Sequence, residues 1–167
     1  WSPLLRPPVR RSIRGSSSWN DMASLSHIVK TLRRRIDGDV AENAPLAPHT
    51  AYGIGGPTAV WVVPRTEADV GKARAAVAEV PLPLFLLGRG TNLLVSDRGW
   101  PGITLYLGKN LSGWAMNGRH ADALAGTPLT ELIRALADRG LGGMEYMAGI
   151  PGSVGGALVM NAGAFGQ

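Results

Sequence analysis

Apolar residues recur every three or four positions in two stretches of the first half of the chain, as on one face of a helix. The first stretch covers residues 24–36, where Ser24 could cap the helix and a run of three arginines falls in the last turn. The second covers residues 67–79 and follows Thr66, another residue suited to an N-cap. We predict a helix over each stretch.

Short continuous apolar runs, which are typical of buried strands, alternate with these helices. They cover residues 59–63, 82–87, 93–96 and 103–107, whereas residues 43–58 are rich in Gly and Pro and are predicted to form a loop. The order of strand, helix, strand, loop and strand favours an α/β or α+β arrangement.

The second half of the chain has a similar mixture on a smaller scale. Residues 114–116 and 121–125 are predicted strands joined by a short turn, and Thr127 would cap a helix that Pro128 opens. The glycine-rich segment 148–166 follows. The buried face of the predicted helix would consist of Leu129, Leu132, Ile133 and Leu136.

Composition narrows the classes of protein to which the chain could belong. Of its 167 residues, 45% are apolar and 17% are charged, which indicates a soluble globular protein. No apolar run approaches the roughly 20 residues of a membrane span, so we predict no membrane partner. Cysteine is absent, which excludes disulfides and thiolate chemistry and agrees with a cytoplasmic location.

The net charge of +5 is unevenly distributed. Eight of the 17 basic residues but only one of the 12 acidic residues lie in residues 1–35, so this segment carries +7 and the remainder −2. The globular part is therefore not basic, which disfavours a nucleic-acid partner. We expect residues 1–21, rich in Arg, Pro and Ser, to form a disordered basic extension.

Two glycine-rich stretches carry the candidate chemistry. LLGRGTN at 86–92 follows a predicted strand, and successive backbone N–H groups in such a turn form an anion-binding concavity. In GIPGSVGGA at 149–157, Ser153 could cap a short helix whose N-terminus would also favour an anion. Two such loops in one small domain favour a phosphate-bearing ligand over simple tight turns.

Other kinds of site find little support in the sequence. GRGTN lacks the third glycine of a dinucleotide-binding G-x-G-x-x-G motif and the G-K-[ST] ending of a P-loop. His27, His49 and His120 are far apart, so we predict no metal site. Ser153 has no histidine base nearby in the sequence, which leaves a serine hydrolase unsupported.

Three blocks of sequence carry a resemblance to a known family. They are APHTAYGIGGPTAVWVVP at 47–64, PLFLLGRGTNLLVSDRGWPGI at 83–103 and GLGGMEYMAGIPGSVGGALVMNAGAFG at 140–166. In order and spacing they resemble the UDP-N-acetylenolpyruvoylglucosamine reductases, also called UDP-N-acetylmuramate dehydrogenases. The resemblance extends from about residue 25 to residue 167.

This resemblance implies the vanillyl-alcohol-oxidase (PCMH-type) FAD-binding fold, an α+β architecture in which two α/β subdomains hold FAD between them. We therefore expect the N-terminal helix and the first subdomain over residues 22–108, and an incomplete second subdomain over residues 109–167. The family's C-terminal substrate domain would be absent from this sequence. Its catalytic residues are expected beyond Gln167, so that none lies in this chain.

The resemblance also implies which residues contact FAD. The first block would border the flavin site, the second would hold the pyrophosphate, the third would contact FAD along its glycine loop, and the end of the third would lie next to the isoalloxazine. These residues are Tyr52, Ile54, Gly55 and Gly56; Gly88, Arg89, Gly90, Thr91 and Asn92; Gly149, Ile150, Pro151, Gly152, Ser153, Val154 and Gly155; and Asn161, Gly163 and Ala164.

The implied reaction is the NADPH-dependent reduction of the enolpyruvyl ether of a UDP-sugar to UDP-N-acetylmuramate, in peptidoglycan precursor synthesis. FAD would be bound non-covalently, because the chain has no Cys and neither glycine loop has a His. NADPH and the UDP-sugar would be partners of a monomeric full-length enzyme, and this chain alone would be inactive. Two alternatives stay open: another FAD-linked oxidase of the same fold, and a non-catalytic nucleotide-binding remnant.

Overall fold

The computed structural model describes residues 22–163, so the expected N-terminal extension and Ala164 lie outside the described residues. The first element, α1, spans Met22–Arg35 and confirms the first predicted helix. It begins two residues earlier than predicted, which places Ser24 inside the helix instead of at its N-cap. Ile28, Val29 and Leu32 are buried along one face, as their spacing predicts.

The first strand, β1, spans Gly38–Pro45 and was not predicted. Part of it falls in the segment 43–58, for which we predicted a loop, and this part of the prediction is wrong. β1 pairs antiparallel with β2, which spans Pro57–Pro64. The sequence of β1 contains one β-branched residue and no aromatic residue, so its extended conformation depends on pairing with β2 and not on local propensity.

A helix and two further strands complete the main sheet. Helix α2 spans Glu67–Ala78, strand β3 spans Leu84–Leu87 and strand β4 spans Trp100–Tyr106, which confirms the predicted helix and two of the predicted strands. The sheet order is β1-β2-β4-β3, and β4 runs parallel to both of its neighbours. The predicted extended segment 93–96 belongs to no strand among the described residues.

The two faces of the main sheet are covered differently. Val60, Val62 and Leu105 point to the face on which α1 and α2 pack, and they belong to the largest buried apolar cluster among the described residues. Trp61 and Leu87 point to the opposite face, where they pack with Leu46 and with apolar residues of the crossover segment 88–99. The loop that follows β3 therefore lies at the edge of a sheet that is buried on both sides.

The second half of the described chain contains a hairpin and two helices. Strands β5 (Trp114–Asn117) and β6 (His120–Ala123) pair antiparallel, as predicted. Helix α3 spans Leu129–Ala137, and helix α4 spans Val154–Met160. None of the described helices combines the length and hydrophobicity needed to cross a membrane.

Thr127 does not cap α3, so this prediction is wrong. The N-cap residue is Pro128, and no side chain caps the helix. The buried Thr127 hydroxyl instead donates to the Gly113 carbonyl at 2.7 Å and accepts from the Gly113 N–H at 2.9 Å. Thr127 therefore ties the start of α3 to the segment before β5.

Candidate functional site

The first glycine loop, residues 88–92, follows β3 at the carboxyl edge of the parallel strands, where ligands bind in many α/β proteins. Among the described residues, its five consecutive backbone N–H groups donate to no acceptor. Gly90 has a φ of +63°, which reverses the chain within the loop. A turn with consecutive N–H groups of this kind suits an anion such as a phosphate.

The segment before Tyr52 packs directly against this loop. The Ala51 N–H donates to the Gly90 carbonyl at 3.1 Å. A Cβ atom on Gly90 would overlap the His49 carbonyl oxygen. The glycine at position 90 is therefore required by the close approach of the chain's own backbone, as well as by its positive φ.

The second glycine segment, residues 149–155, touches the first. The Thr91 hydroxyl donates to the Pro151 carbonyl at 3.3 Å, and a Cβ on Gly152 would lie 3.1 Å from the Thr91 Oγ1. A Cβ on Gly88 would overlap the Ser153 Oγ. The structure thus brings together the two glycine stretches, which are about 60 residues apart in the sequence.

Ser153 caps α4, as predicted, since its hydroxyl accepts the Gly156 N–H at 3.2 Å. The prediction that this helix N-terminus would favour an anion is nevertheless wrong. The Val154 and Gly155 N–H groups donate to the carbonyls of Thr127 and Ala125, at 2.9 and 2.8 Å. The first-turn N–H groups are already bonded within the chain. In the second glycine segment, the N–H groups of Gly149, Gly152 and Ser153 have no acceptor among the described residues.

Two of the predicted residues of the first block contact the crossover segment that follows the first glycine loop. Tyr52 and Ile54 are large hydrophobic residues, yet they are 68% and 48% exposed. A Cβ on Gly55 would lie 2.7 Å from the Val95 Cβ, and the Gly56 N–H donates to the Ser96 carbonyl at 2.9 Å. The two glycines therefore pack against the crossover segment, and the two larger side chains face outward.

The predicted residues at the end of the third block lie at the C-terminus of α4, at the opposite end of this helix from Ser153. Asn161 ends α4 in the left-handed conformation with a φ of +47°, which asparagine tolerates better than most residues. Its neighbour Ala162 packs in one apolar cluster with Ile150. Ala162, which lies between Asn161 and Gly163, thus packs with the second glycine segment and not with the loop 88–92.

A cavity of about 330 Å³ opens beside the first glycine loop. The prediction from sequence included only Arg89 and Thr91 among its lining residues. Tyr106 could have been found, because it ends β4 next to the end of β3, and the carboxyl ends of parallel strands share an edge. The lining residues that were missed are Pro48, His49, Thr50, Ala51 and Tyr106.

The electrostatics of this cavity favour an anion. Among its described lining residues, Arg89 alone has a permanently charged side chain, and no carboxylate is present. Arg89 is exposed, so its guanidinium is available to a ligand. Burial lowers the pKa of His49, which keeps its ring neutral at neutral pH.

Glu145 and Tyr146, which precede the second glycine segment, make structural contacts within the chain. The Glu145 carboxylate accepts the Gly143 N–H at 2.7 Å. Hydrogen bonds from its own N–H and from that of Gly143 lower the pKa of Glu145. Tyr146 packs in the apolar cluster below α3. Within residues 22–163, no group of three or more His, Asp or Glu residues could hold a metal ion.

Comparisons with known proteins agree with this geometry. A family model described as FAD binding domain matches residues 57–167. UDP-N-acetylenolpyruvoylglucosamine reductase of Halalkalibacterium halodurans is 41% identical over 143 residues, which are 86% of this chain and 48% of that protein. The chain thus spans about half the length of the curated relatives that it matches.

Two solved structures bear on the fold. The crystal structure of UDP-N-acetylenolpyruvylglucosamine reductase from Thermus caldophilus is 32% identical, with a TM-score of 0.56 over 78% of this chain and 44% of that chain. The 4-ethylphenol oxidase from Gulosibacter chungangensis is 18% identical, with a TM-score of 0.54 over 71% of this chain and 25% of that chain, and it supports the fold alone. The predicted α+β FAD-binding fold is confirmed, and the chain belongs to the FAD binding domain family.

Proposed function

We propose that this chain is the FAD-binding part of an NADPH-dependent reductase that converts UDP-N-acetylglucosamine enolpyruvate to UDP-N-acetylmuramate, in the cytoplasm. The support is the family match and the roughly 40% identity to proteins that carry the reductase name. Since the chain spans about half of those proteins, the complete reaction and its partners belong to the proposal.

The observation that carries the proposal is the loop 88–92, with its five consecutive N–H groups next to the Arg89 guanidinium. FAD has a pyrophosphate that carries two negative charges, and consecutive amides with one guanidinium are suited to such a group. A Cβ at position 88 or 90 would overlap Ser153 or His49, so the two glycines allow the loop to pack against the chain's own segments. The residues present therefore fit FAD.

The other predicted contact residues would have distinct roles around FAD. The N–H groups of Gly152 and Ser153 would add donors from the second segment, which Thr91 holds against the first. Tyr52 and Ile54 would offer exposed apolar surface to the flavin ring. Bound FAD would supply the hydride-transfer chemistry, with NADPH as reductant, while these side chains bind and orient it. We assign no residue of this chain to proton transfer.

Substitution of Arg89 tests the proposal with little effect on folding, because this side chain is exposed. The purified chain is incubated with FAD and desalted, and its flavin absorbance and its dissociation constant for FAD are measured. We expect the wild-type chain to retain FAD. Arg89→Gln should weaken binding about fivefold, which corresponds to the loss of about 1 kcal/mol from one exposed charge interaction.

Arg74→Gln is the matched control, since Arg74 is an exposed arginine on α2 and does not line the cavity. It should bind FAD like the wild-type chain at equal ionic strength. Absence of flavin from folded wild-type chain would refute the assignment of this site to FAD. Equal losses in the two variants would show that only the net charge matters and would refute the role of Arg89.

A further inference from the structure

Three aromatic rings form a compact cluster directly beneath the first glycine loop. The His49 ring stacks on Trp61, with centroids 4.4 Å apart and planes at 27°. Tyr106 lies against both, at 5.0 Å from His49 and 5.0 Å from Trp61. The three residues come from the 3-10 helix Ala47–His49 and from strands β2 and β4, so the cluster joins three elements.

The backbone of the same segment is what contacts the loop. The His49 carbonyl lies against Gly90. Two residues later, the Ala51 N–H donates to the Gly90 carbonyl at 3.1 Å. Thr50 is buried, and its hydroxyl donates to the Ile54 carbonyl at 2.9 Å. Residues 49–51 therefore contact the middle of the glycine loop through their backbone, at Gly90.

The strand side of the cluster is equally close to the loop. Tyr106 pairs with Leu87, the residue that immediately precedes Gly88, and the Leu107 N–H donates to the Leu87 carbonyl at 2.8 Å. Trp61 is 8% exposed and lies on β2, where it pairs with Ala41 of β1 and with Thr104 of β4. His49 is thus fastened to rigid elements by its ring and to the loop by its backbone.

We propose that His49 is a positioning residue for the FAD-binding loop, which acts by stacking on Trp61 and Tyr106 and so holds residues 49–51 against Gly90. The aromatic ring is the part of His49 that does this, and its ring nitrogens are not needed. The inference rests on the proposed function only for its effect on FAD. Its effect on the loop is a property of the chain itself.

Three variants of the whole chain test this inference: His49→Ala, His49→Phe and, as matched control, His120→Ala, at an exposed histidine of the hairpin. Each is measured for its FAD dissociation constant, its melting temperature and the hydrogen-exchange protection of the Ala51 amide. Two ring contacts are lost in His49→Ala, so we expect FAD binding about tenfold weaker and lower Ala51 protection. His49→Phe keeps the ring and should stay within about threefold of wild type.

An affinity of His49→Ala within twofold of wild type, with unchanged Ala51 protection, would overturn the inference. So would a folded His49→Phe that is as weak as His49→Ala. If His49→Ala does not fold, His49→Phe alone decides, by whether it keeps the protection of Ala51. If the wild-type chain takes up no FAD, the proposed function fails, and the Ala51 amide still tests the role of His49.

Discussion

Gly90 and Gly149 stand in two loops that look equivalent in the sequence, yet their surroundings differ. Gly90 has a positive φ, and a Cβ there would overlap backbone atoms of His49. Gly149 has no positive φ, and a Cβ there would meet no atom within 4 Å. A glycine that packing requires can therefore be distinguished from one that packing does not require.

This difference predicts opposite effects of one substitution on the free energy of unfolding. Gly90→Ala should destabilise the chain by at least about 2 kcal/mol, because it adds strain at a left-handed residue to a backbone overlap. Gly149→Ala should be neutral or stabilising by up to about 1 kcal/mol, because it reduces the entropy of the unfolded chain. Urea denaturation of both variants measures the two values, and similar losses at both sites would contradict the prediction.

At the scale of single residues, the sequence predicted what depends on near neighbours. Ser153 was expected to cap a short helix, and its hydroxyl does accept the N–H of Gly156, three residues later. The prediction of an anion site at the N-terminus of this helix was wrong, because the carbonyls of Thr127 and Ala125 already accept its first N–H groups. These two residues are remote in sequence, so the sequence did not indicate the contact. His49 was missed for the same reason, since its ring contacts become visible only when β2 and β4 are side by side.

At the scale of elements, the capping box at the start of α2 makes the stability of the chain sensitive to acid. Asp69 is only 1% exposed. Hydrogen bonds from the Thr66 hydroxyl and from the Asp37 N–H lower the pKa of Asp69 to about 2. Since the ionised form is the one that accepts these bonds, the folded chain favours it more strongly than the unfolded chain does.

The predicted pH dependence follows from the sign of this shift. The stabilisation from Asp69 is fully present above its unfolded pKa of 3.8, and it is lost as the pH falls through the folded value of about 2. Melting temperatures between pH 5 and pH 2 measure it. In Asp69→Asn the stability at neutral pH should be lower and the decline in acid shallower, whereas parallel curves for the two proteins would assign the decline to other carboxylates.

The elements that the sequence predicted are those with strong local signals. Helix α2 has its cap and its apolar face within 14 residues, and it was placed to within one residue. Strand β1 has neither, and its conformation is decided by its pairing with β2. Thr127 looked like a cap because Pro128 follows it, but a bonding partner 14 residues earlier, Gly113, takes its hydroxyl.

At the scale of the whole molecule, the described chain has one well-buried sheet and one exposed hairpin. Strands β2 and β4 are central and lie between two apolar clusters. In the hairpin β5–β6 each strand has a single partner, and none of its residues is buried. A two-stranded hairpin of this kind is marginally stable by itself.

Hydrogen exchange should therefore divide the chain into two classes of amide. Amides of β2 and β4 should exchange only through global unfolding, and those of β5 and β6 should exchange through local openings of much lower free energy. Native-state exchange at several low urea concentrations measures both, because global openings depend strongly on urea and local ones do not. A steep urea dependence for the hairpin amides would contradict this division.

The contacts between Thr91 and Pro151 and between Gly88 and Ser153 have a consequence for the thermodynamics of binding. The two glycine segments are joined by the chain's own atoms, so a ligand does not have to draw them together. Less conformational freedom is then lost on association, and more of the contact energy remains as affinity. The two segments of the candidate site are thus joined before any ligand binds, and the lack of a Cβ at Gly88 is what allows its approach to Ser153.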